Sequence, residues 1–183
     1  MVINGVEMRG LAVEDAAGLA DVLKRNRAFM APYEPSRPEA FYTEAGQRAR
    51  VEDMLGERDA GRLVPYVFTE TATGAVVGAM NLGSIARGPL CSGGVGYWVD
   101  RAWHGRGLAT AGLEELCRTA RDELGLHRIE AQTLVDNTAS MRVLAKAGFT
   151  EIGLAPRYLH IDGAWRDHRL FQRVLHDDPP PPA

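Results

Sequence analysis

Apolar and polar residues alternate in several short runs of the chain, and in others apolar residues recur every three or four positions. The clearest transition lies at 96–109, where an alternating run with aromatic and β-branched residues stops at Asp100 and a glycine-bearing turn leads to Leu108. The apolar residues after this turn share one helical face: Leu113, Leu116, Cys117, Ala120 and Leu124. The pattern predicts a strand at 95–99, a turn, and a helix from Leu108 to about Leu124 whose apolar face packs on the core.

The same periodicities predict the remaining elements. In chain order they are a strand at 6–11, a helix opened by Glu14 and Asp15, a helix at 43–58 that Thr43 caps, strands at 64–68, 75–85 and 127–135, a short helix capped by the residues 136–138, and strands at 149–160 and 164–175. Asp162-Gly163 is the strongest hairpin signal, and Gly125 and Gly148 end helices. We predict a single domain over 1–176, followed by a disordered proline-rich tail over 177–183.

A proline-containing segment follows the first predicted helix. Residues 26–35 interrupt the helical periodicity with Pro32 and Pro35, and they carry Phe29 and Tyr33 among charged residues. Two interpretations stay open. The segment is either an ordinary connection packed by aromatic side chains or a wall of a substrate cleft.

Composition narrows the class of protein. The net charge of −3 and the pI near 6.0 give no sign of a nucleic-acid or membrane surface. Cys91 and Cys117 form no Cys-x-x-Cys pair and the histidines show no ligand-like spacing, so neither a disulfide framework nor a metal site is expected. With no signal-like N-terminus and no long apolar run, we expect a soluble cytoplasmic protein.

The turn before Leu108 is the best candidate site. Its glycines allow close backbone approach, and the free N–H groups of a first helical turn attract an anion such as phosphate. Neither the Walker spacing nor the dinucleotide Gly-x-Gly-x-x-Gly occurs in this turn. An ordinary glycine turn into a helix remains the alternative interpretation.

Two motifs, in the expected order, resemble those of one superfamily. His104-x-x-Gly107-x-Ala109 resembles the pyrophosphate loop of the GNAT acyl-CoA N-acyltransferases, usually written Gln/Arg-x-x-Gly-x-Gly/Ala, although His104 departs from its common first residue. The run Asn137-x-x-Ser140-Met141-x-Val143-Leu144-x-Lys146-x-Gly148-Phe149 resembles the second GNAT signature. The resemblance implies an α+β fold with a mixed central sheet, splayed in the middle and flanked by helices.

A closer resemblance, over about 26–175, is to the RimJ-like ribosomal-protein-alanine N-acetyltransferases. The residues that carry it are Asn26-Arg27-x-Phe29, Glu34-Pro35, Arg87-Gly88, His127-Arg128-Ile129 and the ending Tyr158-Leu159-x-Ile161-Asp162-Gly163-x-Trp165-Arg166-Asp167-His168. Asp-Gly alone suffices for a hairpin, so the four residues 165–168 together exceed what the turn requires. The resemblance implies direct acetyl transfer from acetyl-CoA to a protein N-terminus, without a metal and without a covalent enzyme intermediate.

The resemblance also implies how acetyl-CoA is bound. The pyrophosphate would lie on the loop, the pantetheine arm on backbone groups of Trp98 and Val99, and an N–H near Val99 would polarise the thioester carbonyl. Asn137 would hold the arm from the other side. The expected cofactor-binding residues are Trp98, Val99, His104, Gly105, Arg106, Gly107, Leu108, Ala109, Thr110, Asn137 and Ser140.

The proton donor departs from the common GNAT pattern. Many members carry a tyrosine seven residues after the asparagine as the general acid, but Leu144 stands there and has no proton to donate. Rim-type members resemble this chain in carrying a serine at the position of Ser140, which becomes the expected donor. The alternative is a helix-start serine that satisfies backbone N–H groups, and one hydroxyl could do both.

The general base is less well defined by the motifs. Relatives often carry a carboxylate where Gly94 stands, so Glu130 on the neighbouring predicted strand becomes the candidate base, directly or through water, with His168 as a weaker candidate. An outward-facing strand acid is the alternative for Glu130. An α-amino group with a pKa near 7.8 is roughly a quarter neutral at pH 7.4, against about one part in a thousand for a lysine amine, so an N-terminal acceptor needs less help.

Three functions follow as hypotheses. The first is acetylation of a protein N-terminus, for example that of a ribosomal protein with terminal Ala or Ser. The second is acetylation of a small amine such as an antibiotic, a polyamine or an aminoacyl conjugate, and the third is a non-catalytic acyl-CoA sensor, suggested by Leu144 and Gly94. We expect neither a nucleic acid nor a membrane as a direct partner, and a homodimer is a further hypothesis.

Overall fold

Eight strands of the computed structural model, which describes residues 1–180, form one mixed sheet with four helices packed on its faces. The elements in chain order are β1 (Val2–Ile3), β2 (Val6–Gly10), α1 (Ala16–Met30), α2 (Glu44–Asp59), β3 (Val64–Glu70), β4 (Val76–Ala86), β5 (Ser92–Val99), α3 (Leu108–Asp122), β6 (Arg128–Leu134), α4 (Thr138–Lys146), β7 (Thr150–Ile161) and β8 (Ala164–Val174). The strand order is β1-β2-β3-β4-β5-β6-β8-β7. Neighbouring strands are antiparallel except for β5 and β6, which are parallel.

Two apolar clusters cover the two faces of the sheet. Successive strand residues point to opposite faces, so Val67 packs with α1 and α2 while Phe68 packs with α3. The larger cluster also includes residues of α4, β6 and β8. The sheet is therefore flanked by α1 and α2 on one face and by α3 and α4 on the other.

Local signals in the sequence predicted most element ends. Thr43 caps α2 by accepting a hydrogen bond from the Gly46 N–H at 3.1 Å. Gly125 follows α3 with a positive φ of 62°. Asp162 and Gly163 join β7 to β8 with φ values of 47° and 74°, the left-handed conformations that a two-residue hairpin turn requires.

The structure departs from the predicted elements at three places. The helix α1 continues through Asn26 to Met30, and a 3₁₀ turn then accommodates Pro32. The apolar periodicity did not predict this longer helix, because the buried position 26 holds the polar Asn26. Its side chain donates to the Val22 carbonyl at 2.9 Å. β5 begins at Ser92 instead of Val95, and β1 was not predicted. Of the tail predicted to be disordered, 181–183 lie outside the described residues.

A buried carboxylate ties α1 to the end of β5. Asp100 is 4% exposed and accepts hydrogen bonds from Arg25 Nε at 2.9 Å, Arg25 Nη2 at 2.6 Å and Asn26 Nδ2 at 3.1 Å. It also accepts from the N–H of Ala102 at 3.1 Å, while the N–H of Arg101 donates to Asn26 Oδ1 at 3.0 Å. The segment that leaves β5 is thus held to α1 by side chains and backbone together.

These donors determine the charge of Asp100. Burial by itself would raise the pKa of Asp100, but the hydrogen bonds from Arg25, Ala102 and Asn26 favour the ionised form and hold its pKa below the usual range. A carboxyl with a depressed pKa in the folded state stabilises the protein above its unfolded pKa, near 3.9, and this stability is lost as the pH falls through the folded pKa.

We expect Asp100→Asn to lower the free energy of unfolding at pH 7 by about 2 kcal/mol, less than for a fully buried pair because Arg25 is 47% exposed. Urea denaturation at pH 7 and pH 3 measures the effect, and the variant should lose less stability than the wild type between these values. Asp122→Asn is the matched control, because Asp122 pairs with Arg121 on the surface and its loss should leave the midpoint essentially unchanged. Equal effects of the two substitutions would contradict the role of Asp100.

Candidate active site

The sheet opens between β5 and β6. These strands pair only over Ser92, Gly93 and Gly94, opposite 128–130, and β6 then continues alongside β8. Gly78 of β4 lies opposite Val99 of β5, and the next backbone hydrogen bond along this pair runs from the Asp100 N–H to the Val77 carbonyl at 2.8 Å. Hydrogen bonding alternates along an antiparallel pair, so the backbone groups of Val99 point away from β4 and into the opening.

The two predicted strand residues of the site therefore have different backbone orientations. Trp98 opposes Ala79, its backbone groups point to β4, and its side chain packs against the cluster under α1 and α2. The carbonyl of Val99 accepts a hydrogen bond from His104 Nε2 at 2.9 Å, and the His104 ring contacts Phe29 edge-on at 5.2 Å between centroids. The N–H of Val99 remains aimed into the opening.

The loop after β5 ends at the N-terminus of α3. Gly105 and Gly107 have φ values of 76° and 77°, and a Cβ at either position would meet no atom within 4 Å. Gly107 is the N-cap of α3 and contributes no side-chain cap, while its carbonyl accepts from the Ala111 N–H at 3.0 Å. The N–H groups of Leu108, Ala109 and Thr110 therefore have no partner within the helix. Open space, aligned N–H groups and the helix dipole suit a phosphate.

Side chains on both sides hold this loop in place. Arg106 lies over the ring of Trp103, with its guanidinium carbon 4.3 Å from the centroid. Its backbone carbonyl accepts a hydrogen bond from Asn4 Nδ2 at 3.0 Å. The Phe29 ring approaches from α1, next to an open cleft of about 480 Å³ that borders Asp100 and Arg101. Contacts of its side chains and of one carbonyl hold the loop in place, while the backbone at Gly105 and Gly107 remains accessible.

The first turn of α4 places Ser140 beside β5. Asn137 caps the helix by accepting the Ser140 N–H at 3.1 Å, so the asparagine and not the serine hydroxyl satisfies this backbone group. The Ser140 Oγ instead lies 2.7 Å from the Tyr97 hydroxyl oxygen. Leu144 is 1% exposed and belongs to the core, whereas Ser140 places its hydroxyl beside β5.

Tyr97 is a site residue that the motifs did not identify. It belongs to β5 and packs against the core on the α3 side, opposite in direction to Trp98. Burial raises its pKa to about 12, with the hydrogen bond to Ser140 acting in the other direction, so the phenol stays protonated at physiological pH. Strand alternation in the sequence places the side chains of Tyr97 and Trp98 on opposite faces of the sheet, but it does not indicate which residue the Tyr97 hydroxyl contacts.

Glu130 lies on the other face of the sheet. It opposes Gly94 in the last pair before β5 and β6 separate, and it points away from the buried Ile129 and Ala131. Its carboxylate forms a salt bridge with Arg128 at 2.8 Å and is 42% exposed. Glu130 and Ser140 therefore border the opening from opposite faces, which suits a base and an acid acting on different sides of one acyl group.

The remaining candidates lie elsewhere. His168 is buried on β8, one strand beyond β6, and its Nδ1 donates to the Arg166 carbonyl at 3.0 Å.

Within residues 1–180 no cluster of three or more His, Cys, Asp and Glu side chains is placed to hold a metal. No helix in the same range is long and apolar enough to cross a membrane.

The proline-containing segment is packed against α1 and α2. Arg27 pairs with Glu39 at 2.5 Å and lies over the Tyr42 ring at 4.4 Å. Glu34 is partly buried, and this burial raises the pKa of its carboxyl against the opposing effect of Arg37 and Arg50. Phe29, at the start of the segment, contacts His104 of the loop and lines the open cleft, while Tyr33 is 46% exposed.

Comparisons with known proteins agree with this geometry. The family model described as "Acetyltransferase (GNAT) domain" matches residues 6–150. The [ribosomal protein uS5]-alanine N-acetyltransferase of Escherichia coli is 34% identical over 157 residues, covering 85% of this chain and 80% of that protein.

Two solved structures share the fold over nearly the whole chain. The ribosomal-protein-S5-alanine acetyltransferase from Vibrio fischeri is 30% identical, with a TM-score of 0.93 and 97% of each chain covered. The Mycobacterium smegmatis RimJ in complex with CoA-disulfide is 34% identical, with a TM-score of 0.87, covering 92% of this chain and 81% of that one. The predicted fold, with its mixed sheet splayed in the middle, is confirmed, and the chain belongs to the GNAT family of acetyltransferases.

Proposed function

We propose that this enzyme transfers the acetyl group of acetyl-CoA to the N-terminal α-amino group of a cytoplasmic protein, with a ribosomal protein beginning in Ala or Ser as the first acceptor to test. The observation that carries the proposal is the opening between β5 and β6, which has a glycine loop at its mouth and the Ser140 hydroxyl at its side. The names of the relatives support the choice of a protein N-terminus over a small amine.

The loop fits the pyrophosphate of acetyl-CoA. The N–H groups from Gly105 to Thr110 would bind it, with His104 and Arg106 holding the loop in shape. Asn137 would border the pantetheine arm beside α4, and the backbone of Val99 would border it along β5. Trp98, which was also expected here from the sequence, is excluded because its backbone groups are directed to β4. When bound, acetyl-CoA supplies an activated acyl group and a thiol leaving group.

The residues of the opening divide the chemistry between the two faces. The Val99 N–H points into the opening and would stabilise negative charge that develops on the thioester carbonyl oxygen. Glu130, on one face, would accept the proton that the attacking amine loses, directly or through water. Ser140, on the other face, would donate its hydroxyl proton to the departing sulfur.

We expect the purified protein to acetylate peptides that begin with Ala or Ser, with a rate that rises as the pH passes about 7.8 because the α-amine must be neutral. Release of CoA and the peptide mass measure the reaction. The same peptides with a blocked N-terminus and an internal lysine are the control and should not react. Activity confined to small amines, or tight acetyl-CoA binding with no turnover on any acceptor, would contradict the proposal.

Gly107→Ala should weaken the binding of CoA at least tenfold, because the added Cβ projects into the space where the pyrophosphate approaches the backbone. Gly125→Ala is the matched control at the other end of α3, since Gly125 also has a positive φ and an open Cβ position. Both variants should lose about 1 kcal/mol of stability from left-handed strain, but only Gly107→Ala should lose CoA affinity in titration calorimetry. Unchanged affinity would remove the loop from the site.

Glu130→Gln should lower kcat by about 100-fold with peptide acceptors, because the amide accepts no proton from the amine. Glu151→Gln on β7 is the control, because Glu151 is also a strand carboxylate about 40% exposed and paired with an arginine. Steady-state kinetics measure both variants. Equal kcat values in Glu130→Gln and the wild type would show that Glu130 is an ordinary surface acid.

A further inference from the structure

We propose that Tyr97 is the positioning residue for Ser140, holding the serine so that its hydroxyl proton is directed at the sulfur leaving acetyl-CoA. The inference rests on the proposed function for the role of Ser140, and it adds a residue from a different strand to the site. Its basis is the 2.7 Å contact between the two hydroxyl oxygens across the gap from β5 to α4.

The backbone around Ser140 is already satisfied without its hydroxyl. Asn137 caps α4 through the Ser140 N–H, so the Oγ has no capping role in this helix turn. The contact of the Oγ with the Tyr97 hydroxyl joins residues 43 positions apart. A serine kept only for helix capping does not need this partner.

The two hydroxyls of Tyr97 and Ser140 together leave one O–H free to donate to a third group. Two hydroxyls carry two protons, and one of these lies between the two oxygens, so one O–H remains for the opening. The Tyr97 phenol is desolvated and stays protonated, which lets it donate into the Ser140 oxygen. Hydrogen bonds in such a chain reinforce one another, so the serine becomes a better donor to a sulfur that gains negative charge.

The transfer step balances with this arrangement. A C–N bond forms, the thioester C–S bond breaks, and the electron pair of that bond stays on sulfur. The amine loses one proton to Glu130 or water, while sulfur gains one from Ser140, which regains its own from water. Tyr97 keeps its proton throughout and acts only through the serine.

The experiment compares Tyr97→Phe with the wild type in the ionisation of bound CoA. A hydrogen bond to the thiolate lowers the pKa of the bound thiol, and removing the phenol hydroxyl should raise that pKa by about one unit, measured from thiolate absorbance. The affinity for CoA should stay within about twofold. Tyr66→Phe is the matched control, because Tyr66 is another core tyrosine whose hydroxyl contacts a side-chain hydroxyl, that of Thr119 at 3.4 Å. It should leave the thiol pKa unchanged.

Kinetics of the double variant separate positioning from packing. We expect Tyr97→Phe to lower kcat about tenfold without raising the KM for acetyl-CoA, and we expect Tyr97→Phe combined with Ser140→Ala to be no slower than Ser140→Ala alone. An unchanged thiol pKa in Tyr97→Phe, or losses in kcat that multiply in the double variant, would overturn the inference.

The two proposals fail in different ways. The thiol titration needs CoA but no acceptor, so it tests Tyr97 even if no N-terminal peptide is acetylated. Acetylation of peptides by the wild type, together with a thiol pKa that is the same in Tyr97→Phe, would overturn the role of Tyr97 and leave the proposed function in place.

Discussion

The site depends on the short parallel pairing of β5 with β6. Only three residues of each strand pair, because β6 continues with β8 while β5 runs toward the loop. Backbone groups of a central strand are thereby left facing an opening in the middle of a sheet, where unpaired polar groups are costly. His104 donates a hydrogen bond to the Val99 carbonyl, and the Val99 N–H points into the opening.

Both ends of the loop that borders this opening are fixed. At its start, Asp100 is held by Arg25 and Asn26 from α1, and at its end Gly107 begins α3. Side chains thus support the loop from outside, while its glycines keep the inner surface free of Cβ atoms. A backbone held in this way suits a ligand that binds to N–H groups, because the loop loses little conformational entropy on binding.

The sequence alone predicted those features that depend on neighbouring residues. Periodicity predicted the helices and strands, Thr43 and Asn137 predicted helix starts, and Asp162-Gly163 predicted the last hairpin. Two short motifs in order predicted the family and the splayed sheet. Each of these signals acts over a few neighbouring residues, so no tertiary contact is needed to express it.

Contacts between distant segments were decided only by the tertiary structure. The sequence offered Ser140 with a possible capping role, but the fold gives the cap to Asn137 and pairs the serine with Tyr97. In the same way Asp100 meets α1 across 75 positions, which periodicity does not show. The sequence by itself determined most of the elements, the loop and the family, because those are local patterns. The faces on which Ser140 and Glu130 lie, and the partners that hold the site, depend on strand register and helix packing, which exist only in the folded chain.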